Sequence, residues 1–211
     1  MGSFRVIDAL STLAFDYYTK YENRESRRLF FTHQLENLFL LAREQKIDPL
    51  SLKGSYAGAM GFGQFMPDSY RNYAVDFDND SIADIWKNPS DAIGSVSNYL
   101  MRHGWEKDEV IVAKAKLTGK RAHEIMYNKI SRPKKSIEKF IELGLEPLSL
   151  DAKPGLKALP LKLENEAGEE YWFGFQNFHV IGRYNPRVKY AMAVTQLSHL
   201  VKDRFCKVHL C

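Results

Sequence analysis

Apolar residues recur at helical spacing through the first half of the chain. One stripe starts at Val6, and a second covers residues 27–45 before Asp48-Pro49 ends it. A third stripe covers residues 91–103, with Ser90 as a candidate N-cap and Gly104 as its end. The positions predicted to be buried are Val6, Ile7, Ala9, Leu10, Leu13 and Ala14, then Phe31, Leu35, Leu38, Phe39 and Ala42, then Ala92, Ile93, Val96, Tyr99 and Leu100.

The pattern changes in the second half, where short β-rich runs appear. Residues 110–113 favour a strand, residues 137–143 a short helix, and residues 156–164 and 171–175 an antiparallel hairpin around a turn at 166–169. Residues 178–181 suggest a third strand. A closing helix is predicted over residues 187–201, with a buried stripe of Tyr190, Val194, Leu197 and Val201. The expected fold class is α+β, mainly α, with a small late antiparallel sheet.

Composition narrows the class of protein. The 211 residues are 45% hydrophobic, which is enough for one large domain with a real core. The 30 basic and 26 acidic residues give a net charge of +4, too balanced to indicate a nucleic-acid partner. No apolar run reaches the roughly 18 residues that a membrane span needs. Cys206 and Cys211 either form a terminal disulfide or are two free thiols.

A glycine-rich stretch lies between the second and third stripes. Glycines lie here among aromatic and methionine side chains, with Ser55, Gln64 and Ser69 as the polar exceptions, and Pro67 is predicted to begin a short helix. Two interpretations are open. Small residues could let helices pack tightly, or the backbone and aromatic rings could form a wall for a neutral polar ligand such as a sugar. The glycines are Gly54, Gly58, Gly61 and Gly63.

An acidic loop follows the glycine-rich stretch. Asp76, Asp78 and Asp80 alternate as the carboxylate ligands of a calcium loop do, and the carbonyl of Ile82 would occupy the seventh position. The sequence departs from an EF-hand because Ser81 replaces the turn glycine and Lys87 replaces the closing glutamate. Asp91 is the candidate to close the site. The alternative is an Asp-rich turn that caps the next helix.

The glycine-rich stretch closely resembles the signature of the membrane-bound lytic murein transglycosylase B family, bacterial enzymes that cleave peptidoglycan glycan strands. The resemblance covers nearly all of residues 2–201 and is weakest over residues 106–160. It implies a lysozyme-like helical core and an unusual, lengthened EF-hand-like calcium loop over residues 76–91. It also implies a periplasmic protein, associated with the outer membrane through a lipid anchor in the full-length form. The matching string is Gly54-Ser55-Tyr56-Ala57-Gly58-Ala59-Met60-Gly61, followed by Gln64-Phe65-Met66-Pro67.

The resemblance also implies site residues. Ser55 and Gln64 match polar positions of the family's cleft, and Phe65 and Met66 match its apolar floor. Arg27 or Arg28 matches a basic pair that faces peptide or lactyl carboxylates. Each tyrosine could instead be a half-buried core aromatic, and we expect His179 and His199 to be structural. The residues implied around the reacting sugar are Tyr99, Tyr184, Asn185 and Tyr190, and those implied around a structural calcium ion are Asp76, Asp78, Asp80, Ile82 and Asp91.

The family uses one glutamate to cleave the bond between N-acetylmuramic acid and N-acetylglucosamine, leaving a 1,6-anhydromuramoyl end. That glutamate lies upstream of a segment resembling residues 2–10, so we expect a truncated catalytic domain without its general acid. We predict that Glu36 and Glu44 are surface or salt-bridged residues. Within a single domain we expect a helical core at 1–105, a mixed lobe at 106–182 and the closing helix. The alternative function is a non-catalytic, calcium-stabilised scaffold module that binds peptidoglycan.

Overall fold

The computed structural model of the chain describes residues 2–16, 23–119, 121–148 and 155–209. Its contacts divide into two compact units, Met1–Tyr99 and Leu100–Cys211. The first unit is built mainly from helices and the second contains an antiparallel sheet, which confirms the α+β, mainly α class. The single-domain arrangement stays a prediction.

The first unit is organised around two packed helices. A short strand β1 (Phe4–Arg5) leads directly into α1 (Val6–Phe15), which packs on α2 (Arg24–Glu44). Val6, Leu10, Leu38 and Leu41 are fully buried between them, as the first two apolar stripes predict. β1 also pairs with β2 (Lys53–Gly54), so the glycine-rich stretch begins against the start of α1. The remaining helices are α3 (Pro67–Tyr73) and α4 (Pro89–Arg102).

Helices α2 and α3 are joined by hydrogen bonds between polar groups, of which Gln34 and Asn37 are buried. The backbone N–H of Asp68 donates to the side-chain oxygen of Gln34 at 3.1 Å, and Gln34 is fully buried. The guanidinium of Arg71 donates to Asn37 Oδ1 at 2.7 Å and to both carboxylate oxygens of Glu44 at 2.9 and 2.7 Å. These bonds fix α3 on α2, and α3 follows the glycine-rich stretch directly.

Two predictions of buried helix residues are wrong. Phe39 is 50% exposed on α2 and Ile93 is 68% exposed on α4. On α4 the buried positions are instead Asp91, Ala92, Gly94 and Ser95. These small and polar residues face the acidic loop, where the hydroxyl of Ser95 accepts a hydrogen bond from the N–H of Val75 at 3.0 Å. Ile93 therefore lies on the opposite face of the helix.

The second unit contains a five-stranded antiparallel sheet with the strand order β4-β6-β7-β3-β5. The predicted hairpin is present as β6 and β7, with Leu161 opposite Trp172. The strand predicted over residues 110–113 begins two residues later and extends to Leu117, and two short strands, β4 and β5, were not predicted. The strands are β3 (Val112–Leu117), β4 (Lys135–Ser136), β5 (Leu145–Pro147), β6 (Lys157–Asn165) and β7 (Gly168–Gly174), and the helices are a 3-10 turn (Ala122–Glu124), α5 (Ile137–Ile141), α6 (Gln176–Tyr184) and α7 (Val188–His209).

Alternating side chains of the sheet supply two hydrophobic clusters. One contains Ala158 and Phe173 with Phe140 of α5, whose ring lies 5.7 Å from that of Phe173. The other contains Leu161 with residues of α6 and α7, including the fully buried Phe178. The period-two pattern of strands explains this division, because successive residues point to opposite faces.

The third predicted strand is wrong, because residues 178–181 lie in α6. Asn177 fixes the start of this helix: it accepts from the N–H of Glu106 at 2.9 Å and donates to the carbonyls of Glu106 and Glu109 at 2.7 and 3.2 Å. With Asn177 buried, Phe178 and Ile181 recur at helical spacing on the same buried face.

The closing helix is confirmed, but α7 is longer than predicted and buries different residues. Its buried positions are Ala191, Met192 and Thr195, whereas Leu197 and Val201 are 61% and 60% exposed. Among the described residues, no helix combines the length and apolar character needed to cross a bilayer. Cys206 lies on α7, and its candidate partner Cys211 lies outside the described residues.

Candidate functional site

The glycine-rich stretch forms a compact loop, here called the wall loop, over residues 54–66. Met60 pairs in an antiparallel bridge with Gly54 on one side and with Phe65 on the other. Met60 and Phe65 exchange backbone hydrogen bonds at 2.7 and 2.9 Å, and Met60 is fully buried. The loop is therefore held by its own backbone and presents the intervening residues at its surface.

At two positions of the wall loop, a positive φ and a close neighbour together require glycine. Gly58 has φ +82° and lies against the side chain of Leu10 on α1, where a Cβ would clash. Gly61 has φ +65°, and a Cβ there would lie 2.6 Å from the carbonyl oxygen of Ile85. The interpretation of close packing against a helix is thus correct at Gly58, whereas Gly61 packs against the backbone of a turn. It does not exclude a ligand on the outer surface of the same loop.

The predicted polar residues Ser55 and Gln64 both brace the wall loop. The hydroxyl oxygen of Ser55 accepts from the N–H groups of Ala57 and Ala59 at 3.2 and 3.1 Å. Gln64 is exposed with φ +51°, and its amide donates to the carbonyl of Gly61 at 2.8 Å. That bond uses the amide nitrogen of Gln64, and the amide oxygen is not part of it.

The residues of the predicted apolar floor contact other apolar groups of the same unit. Phe65 is buried, and its ring centroid lies 6.0 Å from that of Tyr99 on α4. Tyr99 in turn packs edge-on against Tyr73 at 4.9 Å and is half-buried. Met66 is half-buried and precedes the first turn of α3. The structure therefore brings Phe65 and Tyr99 together, as expected for a common site.

Two aromatic side chains on the wall loop were absent from the predicted site residues. Tyr56 is 76% exposed and Phe62 is 52% exposed, although both belong to a loop whose backbone is tightly bonded. Flat exposed rings on a rigid loop suit the apolar face of a sugar. The signal was present in the sequence, because both residues lie between the glycines, but only the structure shows that they point outward.

The two arginines lie on α2 and have partners within the unit. The guanidinium of Arg27 lies 5.6 Å from the ring centroid of Phe31. Arg28 donates to the carbonyl of Ala14 at 3.2 Å and contacts Glu25 at 3.4 Å. Arg28 therefore ties the end of α1 to α2, and a role for either arginine in binding carboxylates stays a prediction.

The remaining predicted sugar contacts belong to the second unit. Tyr184 and Asn185 are half-buried at the end of α6, where the N–H of Asn185 donates to the carbonyl of Ile181 at 3.2 Å. Tyr190 is 36% exposed on α7, and burial of the rest of the ring raises the pKa of its hydroxyl. Their membership of the same cleft as Ser55 stays a prediction.

His179 on α6 is half-buried, and its pKa is lowered by burial and by the nearby positive charges of Arg183 and Arg132. Its ring is therefore neutral at pH 7. The Nδ1 atom has no hydrogen-bond partner among the described residues. These properties agree with the structural role predicted for it.

The acidic loop brings four carboxylates together. Asp76, Asp78, Asp80 and Asp91 each offer an oxygen, and these oxygens all lie within 4.8 Å of one another. Asp91 is fully buried, although it lies on a different element from the other three. Like charges at this separation repel one another, and a hard divalent cation with oxygen ligands would remove that repulsion. The donor set therefore fits calcium.

The backbone of the acidic loop is fixed by the same carboxylates. Asp91 accepts from the N–H groups of Phe77 and Asp84, both at 2.8 Å. Asp76 accepts from the N–H of Ser81 at 2.7 Å, and Ser81 adopts φ +75°, the conformation that the expected glycine would supply. Ile82 lies in the loop as predicted. The liganding role of its carbonyl stays a prediction.

The acidic loop and the wall loop contact each other directly. The N–H of Phe62 donates to the carbonyl of Ile85 at 2.9 Å, and Ile85 is buried. The hydroxyl of Tyr70 on α3 donates to the carbonyl of Ala83 at 2.8 Å. Burial, with Asp84 and Asp91 nearby, raises the pKa of Tyr70 to about 12, so this donor is retained at all ordinary pH values.

Each glutamate described in the first unit is exposed. Glu25 and Glu36 lie on the surface of α2, and Glu44 is paired with Arg71. The hydrogen bond from Arg71 lowers the pKa of Glu44, whereas a general acid needs a raised one. The structure thus agrees with the expectation that Glu36 and Glu44 are surface or salt-bridged residues.

Comparison with known proteins gives matches over almost the whole chain. A family model described as the transglycosylase SLT domain matches residues 1–199. The chain is 43% identical over 203 residues to membrane-bound lytic murein transglycosylase B of Escherichia coli (strain K12). That alignment covers 95% of this chain and 52% of the relative, so the chain spans about half the length of the curated relative it matches.

Two solved structures are similar in fold and carry informative ligands. The E. coli lytic transglycosylase Slt35 in complex with calcium has a TM-score of 0.84 and 42% identity, over 96% of this chain and 60% of that one. SltB3 from Pseudomonas aeruginosa in complex with NAG-NAM-pentapeptide has a TM-score of 0.75 and 31% identity, over 92% and 50% of the two chains. Because these matches extend over almost the whole chain and include the wall loop and the acidic loop, the chain belongs to the transglycosylase SLT domain family.

Proposed function

We propose that this chain binds peptidoglycan glycan strands as part of a lytic transglycosylase of the B type. The observation that carries the proposal is the wall loop, where the exposed rings of Tyr56 and Phe62 stand on a backbone fixed by its own hydrogen bonds. A neutral sugar needs such apolar faces together with a few polar groups for orientation. Family membership and the muropeptide complex of SltB3 support the same ligand class.

In the proposed function, the first unit binds and orients the glycan strand. The amide of Gln64 would form a hydrogen bond with a sugar hydroxyl or acetamido group, and the Phe65–Tyr99 pair would form the apolar support.

The reaction joins the C6 hydroxyl of the muramoyl residue to its own C1 carbon as the bond to N-acetylglucosamine breaks. One acid must first protonate the leaving oxygen and then accept the proton of that hydroxyl, so that no water is consumed. The roles of Tyr184, Asn185 and Tyr190 around the reacting sugar are part of this proposal.

Digestion of purified murein sacculi by this chain tests the activity. The products are read by mass spectrometry for the loss of one water that marks a 1,6-anhydro end, and glycan binding is measured in parallel with chitohexaose. Because every glutamate described in the first unit is exposed, we expect measurable binding with little or no cleavage. Hydrated ends would contradict the transglycosylase mechanism. Absence of both binding and products would overturn the proposed function.

A Tyr56→Ala variant tests whether chitohexaose binds at the wall loop. Loss of one stacking ring should weaken chitohexaose binding several-fold without unfolding the chain, because Tyr56 is largely exposed. The matched control is Phe205→Ala, because Phe205 is an exposed ring of similar size on α7. Tyr127 is unsuitable as a control, because its ring is partly buried. An equal loss of chitohexaose binding in Tyr56→Ala and Phe205→Ala would argue against specific binding at the wall loop.

The exposure of those glutamates favours the second candidate function. A module that binds peptidoglycan without cleaving it would need the wall loop and the acidic loop but no general acid. The digestion separates the two functions, because anhydro products at a steady rate exclude a purely binding module.

We further propose that calcium is a structural cofactor, held by Asp76, Asp78, Asp80 and Asp91 with the carbonyl of Ile82. The clustered carboxylate oxygens and the calcium complex of Slt35 support this assignment. Calcium would neutralise the cluster and take no part in proton transfer. Titration calorimetry should show binding that is weakened in Asp80→Asn but not in Asp48→Asn, which removes an acid outside the cluster. Equal binding by both variants would contradict the assignment.

We also place the protein in the bacterial cell envelope, because its substrate lies there and its E. coli relative is named as membrane-bound. A periplasmic location, with outer-membrane association through a lipid anchor, is the finer form of this proposal. Fractionation of cells with an antibody against this chain tests it, and recovery with cytoplasmic markers would contradict it.

A further inference from the structure

A second candidate binding site lies in the second unit, away from the residues of the wall loop in sequence. It is a cavity of about 580 Å³, here called the basic pocket, which lies beside β6, α5 and the segment between β3 and β4. Its floor is apolar, because Ile125, Phe140 and Leu159 are each at most 6% exposed. Its rim carries four exposed cations, Lys129, Arg132, Lys134 and Lys135.

The positive charge of the rim is not balanced by the protein. Among the described residues, none of the four cations forms an ion pair within 4.0 Å, in contrast to Lys116 and Lys162 of the same unit. The one acid among the lining residues is Glu124, whose carboxylate is held by Arg121 through bonds of 2.8 and 3.0 Å. The pocket therefore favours an anion.

The backbone that carries the rim is fixed in place. Asn128 donates to the carbonyl of Lys162 at 2.8 Å and accepts from its N–H at 2.9 Å, which attaches the segment before Lys129 to strand β6. On the other side, β4 pairs with β6 so that Lys135 lies opposite Ala158. Cations on anchored backbone lose less entropy on binding than cations on a free loop.

A neighbouring cavity shows that this charge distribution is local. It has a volume of about 540 Å³ and shares Arg132 and Lys134 with the basic pocket. Its lining also includes Glu106 and Glu109, so positive and negative groups are mixed there. The basic pocket therefore differs from its neighbour in the balance of charge, with four cations and a single acid that Arg121 holds, and the ligand chemistry follows from that balance together with the apolar floor.

We propose that the basic pocket binds a short acidic peptide that also carries an apolar side chain. Two carboxylates would face the rim, and one aliphatic group would contact Ile125, Phe140 and Leu159 together with Met126, which is 73% exposed. The volume lies within the range of about 300–1,000 Å³ that is usual for ligand sites. A bare polyphosphate would satisfy the rim but leave the apolar floor in contact with water. This site is separate from the glycan cleavage proposed above and does not depend on it.

The test is a titration with an acetylated pentapeptide that has two glutamates flanking a leucine, measured calorimetrically at low ionic strength. We expect saturable binding that weakens as salt is added, because exposed charge pairs are screened. The double variant Lys129→Gln/Lys135→Gln should weaken binding by about two- to thirty-fold, since each of the two exposed charge contacts is worth roughly 0.2–1 kcal/mol. Lys202→Gln on α7 removes one charge outside the pocket and should leave binding unchanged.

Three further results decide against the proposal. Equal binding of the peptide with glutamines in place of glutamates would show that charge is irrelevant, and equal binding by the double variant would place the ligand elsewhere. Binding of pyrophosphate or of phosphatidylglycerol vesicles that is lost in the double variant, without peptide binding, would assign the pocket to a different anion. Because the substituted lysines are exposed, unchanged thermal unfolding of the double variant verifies that the fold is intact.

Discussion

At the residue scale, Ser81 shows how a departure from a motif is accommodated. The expected glycine is missing, yet Ser81 still adopts φ +75° and donates its N–H to Asp76. A side chain in this conformation costs roughly 1–2 kcal/mol relative to glycine. The serine is therefore tolerated at the expense of local strain, and the turn itself is retained.

Replacing Ser81 by glycine should raise the free energy of unfolding by about 0.5–1 kcal/mol, because the strain relieved exceeds the entropy that glycine adds to the unfolded chain. Thermal unfolding in the presence of a chelator measures this without a contribution from calcium. The matched control is Ser97→Gly, an exposed position within α4, which should be destabilised by about 0.5 kcal/mol. A loss of stability in Ser81→Gly would contradict the explanation.

The wall loop illustrates which site residues the sequence can identify. Ser55 and Gln64 were selected as polar exceptions among apolar neighbours, and both lie in the loop, although each also bonds its backbone. Tyr56 and Phe62 were not selected, because an aromatic residue in a sequence gives no indication of which way its ring points. Exposure depends on the turn geometry set by Gly58 and Gly61.

At the scale of elements, the contact of α2 with α3 depends on Arg71. Replacing Arg71 by glutamine removes its bonds to Glu44 and leaves the buried oxygen of Asn37 without its donor. An unsatisfied buried acceptor costs about 1–3 kcal/mol. Urea unfolding at pH 7 should show a loss of that order, and a smaller one for Arg121→Gln, whose partner Glu124 is exposed.

The loss in Arg71→Gln should also depend on pH. The hydrogen bond from Arg71 lowers the pKa of Glu44 in the folded state. A lowered folded-state pKa contributes stability above the unfolded-state value near 4.5, and that contribution disappears as the pH falls through the folded-state value. The difference between wild type and variant should therefore narrow below pH 4.5. A constant difference from pH 7 to pH 3 would show that Glu44 contributes nothing.

Helices with clear ends were predicted well, and elements decided by tertiary contacts were not. The stripes at 27–45 and 91–103 correspond to α2 and α4 to within three residues at each end, because their apolar spacing agrees with their Pro and Gly boundaries. Residues 178–181 are rich in β-forming side chains, but Asn177 bonds the 106–109 segment and begins a helix. Such a long-range contact leaves no periodic signal, so propensity alone gave the wrong result.

At the scale of the whole molecule, calcium should control stability. A ligand that binds only the folded state at a hundred times its dissociation constant stabilises by about 2.7 kcal/mol. For a chain of this size that corresponds to an increase in Tm of roughly 5–10 °C. Differential scanning calorimetry with calcium and then with a chelator measures it, with Asp80→Asn as the variant that should respond least. An unchanged Tm would contradict the calcium assignment.

The fold class and the acidic loop could be predicted from the sequence because they depend on local spacing. The alternation of Asp76, Asp78 and Asp80 is visible in the sequence, and the structure adds the buried Asp91 from another element. The basic pocket was not predictable in the same way. Its four cations lie between residues 129 and 135, where no periodic pattern marks a site, and its floor combines Ile125 with residues of α5 and β6.

The hydrogen bond between Phe62 and Ile85 has a consequence for tolerance of insertions. It closes residues 62–85 into a ring of chain that contains α3 and the Asp76, Asp78 and Asp80 part of the acidic loop, and Ile85 at one end of the ring is buried. An epitope tag placed within this ring would strain the closure and displace the aromatic surface. The tip of the β6–β7 hairpin is exposed and closes no such ring. A reporter sequence placed after Glu166 would therefore be carried without disturbing the wall loop.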